Sequence, residues 1–204
     1  MKHQEHILAI PSSVVETQIQ AGPQPFIGMF PIEFSSGDLK VAQRAGLEKD
    51  FSHRQLITYA LVSSGDKYAT YRRTPKGNEA GLHGAISIGF GGHVDINDVQ
   101  HVNSVIDLNK TIELSMSREI SEELDLNGAK VVSFEILSKK IVSNLTDVDK
   151  VHIGIIAIMK VDKEVAKSGE DQLDFMGFLS IDELKHLCST DNVENWSKAL
   201  IESL

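Results

Sequence analysis

The stretch Ser117–Leu126, SREISEELDL, sets three glutamates, an aspartate and an arginine within ten residues. On a helix, Glu119, Glu122 and Glu123 fall at i, i+3 and i+4 and share one face. Upstream and within it, Ile112, Met116, Ile120 and Leu124 recur every fourth position, which predicts an amphipathic helix with an apolar stripe on the core and the glutamates turned away from it. Two readings of that face compete. A solvated face would carry an Arg118–Glu122 pair at i, i+4, contributing about 0.2–0.5 kcal/mol. Yet three carboxylates within reach of one another repel, and a hard divalent cation turns the repulsion into binding, because magnesium and manganese prefer carboxylate oxygens.

The residues before the helix bear on that choice. The run AISIGFGGHVD reads as a strand ending in Gly89, Gly91 and Gly92, and glycines let a backbone carbonyl face a ligand where a side chain would block it. Further upstream, RQLITYALVSSGDKYATYRR is two β-rich runs around Ser-Gly-Asp, a hairpin pattern. After the helix, VVSFEILSKKIVSN and VHIGIIAIMKVD flank LTDVDK as a second strand pair. SIDELKHL opens with Ser180 and Glu183 in capping-box spacing, and ENWSKALIESL reads as a final amphipathic helix with Trp196 and Leu200 inward. Near the start, HILAIPSSVV is a short strand broken by Pro11. AGPQPFIGMFPIEF is irregular by its prolines, and SSGDLKVAQRAGLE is a short helix. Strands, a helix, strands and then helices indicate an α+β fold.

The bulk properties exclude several function classes. A chain of 204 residues with 41% hydrophobic and 24% charged residues is long enough to bury a sizeable core. Its net charge of -9 argues against stable nucleic-acid binding, which relies on lysine and arginine releasing counterions. A bound divalent cation could still present an anionic substrate with a favourable local field. With Cys188 the single cysteine, no intrachain disulfide forms, and no apolar run approaches the length of a membrane span. The reading is a cytoplasmic protein with no membrane association. Cys188 has no partner pattern for a nucleophile and is expected to pack under a helix.

The glycine loop followed by REISEELDL resembles the box of the Nudix hydrolases: G, five residues, E, seven residues, then R-E-U-x-E-E-x-G-U, where U is a bulky aliphatic. Arg118, Glu119, Ile120, Glu122, Glu123 and Leu126 match, and the opening glycine falls on Gly92. GFLSIDEL resembles a strand and helix start found late in that family. The resemblance covers about residues 55–187, and the stretched box also resembles a little-described, predicted phosphoesterase branch. It implies a Nudix-type α/β/α sandwich with a mixed central sheet, divided as a Nudix-like domain over 51–204 and an N-terminal extension over 1–50 packed on it. Two departures stand out. Gly92 and Arg118 are 26 positions apart against about fourteen in the box, and INDVQHVNSVIDLNK is the extra segment. Counted back from Arg118, the first box glutamate falls on Lys110, with Glu113, Asp107, Asp98 and Asp95 as candidates to replace it. Asp125 stands where the box has the glycine that ends the helix, so the end is expected two or three residues on, at Asn127 or Gly128.

The resemblance implies roles. Glu119, Glu122 and Glu123 would ligate magnesium or manganese, with a backbone carbonyl from Gly91 or Gly92, and Arg118 would orient the glutamates through an ion pair. Water would attack a phosphorus of a nucleoside diphosphate linked to another group, with Glu119 or an acid of the later loop (Glu164, Glu170, Asp171, Asp174) as general base. Arg72, Arg73 and His93 are candidates for substrate contact. A zinc site from His83, His93 and His101 has no supporting spacing, and a histidine satisfied within a loop is the plainer expectation. The partner is a small nucleotide-type substrate, and dimerisation, common in that family, implies a homodimer by analogy. The rival readings are a catalytically weak or inactive nucleotide-binding module and a globular domain whose acidic helix is merely solvated.

Overall fold

The structure, a computed structural model, describes residues 5–20, 22, 24–76, 80–164, 167–169 and 171–204. It is α+β, with a large mixed sheet and six α-helices among the described residues. None of those helices is long and apolar enough to cross a membrane. The chain divides into two compact units. One comprises Met1–Tyr59, Gly92–Arg118 and Leu137–Ile156, and the other Ala60–Gly91, Glu119–Ile136 and Ala157–Leu204.

In the first unit, the strand His6–Pro11 pairs antiparallel with Lys40–Gln43 on one side and with the start of His53–Ser64 on the other. Ile7, Leu8, Ala9 and Ile10 are all buried, as expected of a run apolar on both faces. Pro11 ends this strand, and the helix Ser12–Ile19 starts directly after it, because the pyrrolidine ring gives up a ladder donor that a helix start does not need. Two early expectations are corrected. The proline-rich stretch is not wholly irregular: Ile27–Phe30 is a strand paired with Lys140–Ser143, and Pro25 and Pro31 flank it rather than interrupt it. The short helix expected after Ser35 is three pieces, a 3-10 turn Ser36–Asp38 capped by Ser35, the strand Lys40–Gln43 and the helix Arg44–Leu47. Pairing with the all-apolar strand outweighs local helix propensity there. Arg54, buried, donates to the carbonyls of Ser143, Asp149 and His152, which fastens the turn between the strands Val131–Ser143 and His152–Val161. Desolvation lowers its pKa from the ordinary guanidinium value.

The second unit contains the expected hairpin. Ser64 faces Lys67 across Gly65 and Asp66, and Gly65 takes φ +61°, a left-handed conformation that glycine adopts at little cost. The strand Leu173–Ser180 pairs with Lys67–Arg73, with a register break at Gly177. Tyr71, buried, donates its hydroxyl to the Gly89 carbonyl at 2.7 Å and lies against Phe90, so the strand leading to the glycine loop is fixed from within the core. Burial raises the Tyr71 pKa. The helix Ile181–Thr190 carries the Ser180–Glu183 capping box, and Asn195–Ser203 buries Trp196, Ser197, Leu200 and Ile201, both as read from the sequence. The Ser197 hydroxyl accepts the Ile88 N–H at 3.0 Å. Asn192 and Glu194 bond the Ile86 backbone on both sides. Cys188 is half-buried on the first of these helices, and desolvation raises its thiol pKa.

Candidate metal centre and active site

Ile112, Met116, Ile120 and Leu124 are all buried, so the helix Leu108–Glu123 forms on the stripe its sequence shows. Its orientation differs from the expectation in one respect. Glu113, Leu114, Ser117, Ser121 and Glu122 are exposed, whereas Glu119 and Glu123 are half-buried. At about 100° per residue Glu119 and Glu123 stand within about 60° of Met116 around the helix, at the edge of the apolar stripe, whereas Glu122 stands about 120° away.

In the first unit, Arg118 is held by Asp98. Its Nε and Nη2 donate to the two Asp98 carboxylate oxygens at 3.0 and 2.8 Å, a planar fork, and Nη2 also reaches the His93 carbonyl at 3.3 Å. Asp98 is 6% exposed. It closes a capping box with Asp95 over the 3-10 turn Ile96–Asp98, and the Asp95 N–H donates to its Oδ2. Of the four candidate acids for the glutamate missing at Lys110, Asp98 is bonded to Arg118. Asp98 stands six positions after Gly92, the spacing of the first box acid when counted forward from the glycine. The extra residues therefore lie after this acid. They form a small hairpin, His101–Val102 with Val105–Ile106, and the first turns of the helix. Lys110 sits in the exposed first turn, beside Asp107 at 3.8 Å. Counting forward from the glycine, as well as back from the arginine, singles Asp98 out of the four candidates.

In the second unit, the Glu123 carboxylate accepts the Gly91 N–H at 2.7 Å, which brings the glycine loop and the end of the glutamate helix together. Gly91 has φ 153°, a positive value that L side chains rarely adopt. The helix ends at Glu123, not at Asn127 or Gly128. Leu124 and Asp125 pair instead with Ser168 and Lys167, and the positive φ angles of Asn127 and Gly128 form the turn that follows. Among the described residues no three His, Cys, Asp or Glu side chains stand already gathered for a metal ion. The donor chemistry nonetheless suits magnesium or manganese, hard cations that take carboxylate oxygens: the last turns of one helix carry three carboxylates, two of them half-buried.

The remaining candidates are engaged. The Gly92 carbonyl accepts both the N–H and the hydroxyl of Thr58, at 2.9 and 3.2 Å, which uses both lone pairs and makes it the poorer metal donor of the two glycines. Arg72 forks onto Asp191 at 3.1 and 2.8 Å, and that bond, followed by the Asn192 N–H, draws the Asp191 carboxyl down to about 2. The Arg73 Nε lies 3.5 Å from Glu194, and its guanidinium lies over the Tyr71 ring. A substrate phosphate would have to compete with these carboxylates. His93 Nε2 contacts Gln55 Oε1 at 2.9 Å and His152 Nε2 at 3.2 Å, and His152 Nδ1 meets the Val148 carbonyl at 2.7 Å. Of the later loop, Glu164 pairs with Lys67 at 3.3 Å and Asp171 with Lys76 at 2.9 Å, Asp174 faces Arg72 across the ladder, and Glu170 lies outside the described residues.

No protein-family profile matches the chain. Protein YmaB of Bacillus subtilis (strain 168) is 27% identical over 163 residues, which cover 79% of this chain and 76% of that protein. Among solved structures, the chain is similar to Tm1382, a protein proposed to be a Nudix hydrolase. The TM-score is 0.72 at 22% identity, over 98% of this chain and 97% of that one. The chain therefore has the Nudix fold, and the shared fold reaches into its first fifty residues.

Proposed function

On the premise of the Nudix fold, we propose that this protein is a magnesium- or manganese-dependent hydrolase that cleaves a phosphoric anhydride bond in a nucleoside diphosphate derivative. The observation that carries the reading is the glutamate helix. Glu119, Glu122 and Glu123 share its last turns, and Glu123 is tied to the Gly91 N–H of the glycine loop at 2.7 Å. The Asp98 fork on Arg118 fixes the turn just before them.

Glu119, Glu122 and Glu123 would hold the ion, with the Gly91 carbonyl as a backbone donor. A divalent ion bound there supplies charge neutralisation at the phosphoryl oxygens and lowers the pKa of a bound water. The chain's own residues do the rest. Arg118, forked onto Asp98, would hold the backbone from which Glu119 follows directly in sequence. Glu119, half-buried, would take the proton of the attacking water. The negative charge of the chain is compatible with an anionic substrate because the ion reverses the field locally.

The test is turnover. The protein with magnesium or manganese is incubated with nucleoside diphosphate sugars, dinucleoside polyphosphates and nucleoside triphosphates, and phosphate products are followed beside Glu123→Gln. The reading predicts metal-dependent product from at least one class and a loss of about 10²-fold or more in the variant. Nucleotide binding without turnover would instead identify a non-catalytic binding module.

A further inference from the structure

The end of the glutamate helix is not closed by a residue of its own. The box glycine is absent at Asp125, and the later segment does its work. The Gly169 N–H donates to the Glu123 carbonyl at 2.8 Å, Leu124 and Asp125 pair with Ser168 and Lys167, and further along the Asp162 N–H donates to the Lys130 carbonyl while the Lys130 N–H donates to the Asp162 carboxylate. Lys167 adds an ion pair to Asp125 at 3.3 Å. The segment is itself anchored to the neighbouring strand, by Glu164 on Lys67 and by the Thr74 N–H on the Gln172 carbonyl.

Gly169 is the tight point. A Cβ built there would meet the Glu122 carbonyl oxygen at 2.4 Å and the carbonyl carbons of Glu122 and Glu123 at 3.2 Å. All three contacts are backbone, so no side chain can swing aside. Gly169 is not among the glycines with positive φ, so its conformation alone would admit alanine. What excludes a side chain is the closeness of the segment to the last turn of the helix.

We propose that Gly169, with the Lys167–Gly169 segment, is a positioning element for the proposed metal site: it supplies no ligand, but it sets where the Glu122 and Glu123 backbone, and hence their carboxylates, stand. The inference rests on the reading of those glutamates as metal ligands. A methyl at position 169 needs close to 1 Å of separation to reach an ordinary contact, and a displacement of that size exceeds the roughly 0.5 Å within which such a site must be held. It falls in the range where misplacement costs about 10²-fold in rate.

The experiment measures manganese binding by the loss of the free-ion electron paramagnetic resonance signal, in the parent, Gly169→Ala, Glu123→Gln and Gly46→Ala. Gly46 is a control because a Cβ there meets nothing within 4 Å. The expected result is binding in the parent that Glu123→Gln abolishes, at least tenfold weaker binding in folded Gly169→Ala, and parent-like binding in Gly46→Ala. Folded Gly169→Ala with parent affinity overturns the positioning role alone. A parent without Glu123-dependent binding overturns the metal reading and the positioning role with it. Hydrogen exchange on the parent makes the test independent of the variant's folding. The Gly169 amide is expected to be protected, and more so with manganese; exchange at the rate of a free amide, or no gain on adding the ion, overturns the inference.

Discussion

Replacing Asp98 with alanine removes both hydrogen bonds of a guanidinium fork, at 3.0 and 2.8 Å, and the acceptor of the Asp95 N–H. Asp98 is 6% exposed, and the side chain of Arg118 is 34% exposed. Hydrogen bonds to charged groups contribute about 1.5–3 kcal/mol, and breaking a fully buried pair costs about 3–5 kcal/mol. Arg118 keeps access to water and regains some solvation, which puts the expected loss at about 2 kcal/mol. For a chain of this length that is about 4–8 °C in Tm. Urea unfolding followed by circular dichroism measures it, with Lys110→Ala as the comparison. Lys110 is an exposed residue of the first helical turn, and its loss should stay within about 0.5 kcal/mol of the parent. Asp98→Ala within 0.5 kcal/mol of the parent, or Lys110→Ala as costly as Asp98→Ala, would refute the assignment of Asp98 as the acid that holds the box arginine.

Three further outcomes are expected. Ser197→Ala leaves the buried Ile88 N–H without its acceptor and should cost about 1–3 kcal/mol in urea unfolding, whereas the exposed Ser189→Ala should cost little. Tyr71→Phe removes the buried bond to the Gly89 carbonyl and should lower stability by about 1 kcal/mol or more, read as a shift in the urea midpoint with m unchanged. The Asp191 carboxyl is held down to about 2 by Arg72, so its contribution is full above its ordinary value of 3.8 and is lost as pH falls through about 2; the parent should therefore lose stability over that window more steeply than Asp191→Asn.

The sequence made the helix legible because its pattern rests on local spacing. The Ile112–Leu124 stripe, the Ser180 capping box and the Ser-Gly-Asp hairpin need only near neighbours, and all three formed as read. What it hid depends on distant partners. The strand Lys40–Gln43 exists because His6–Pro11 lies beside it, a pairing no local pattern encodes. The helix stops at Glu123 because residues forty-odd positions on take up its backbone, so the missing glycine at Asp125 did not lengthen it. Arg72 and Arg73 looked available for a phosphate until Asp191 and Glu194, both far along the chain, were placed beside them.

In the proposed reaction, water cleaves a phosphoric anhydride at a metal held by Glu119, Glu122 and Glu123. It is tested most directly by running the reaction in ¹⁸O-labelled water with manganese and a nucleoside diphosphate derivative, and reading the phosphate products by mass spectrometry. One ¹⁸O is expected in a phosphate product of the parent, and none when a chelator is added or when the three glutamates are changed together to glutamine. Labelled product that persists without metal or without the three carboxylates, or no turnover of any anhydride, would contradict it.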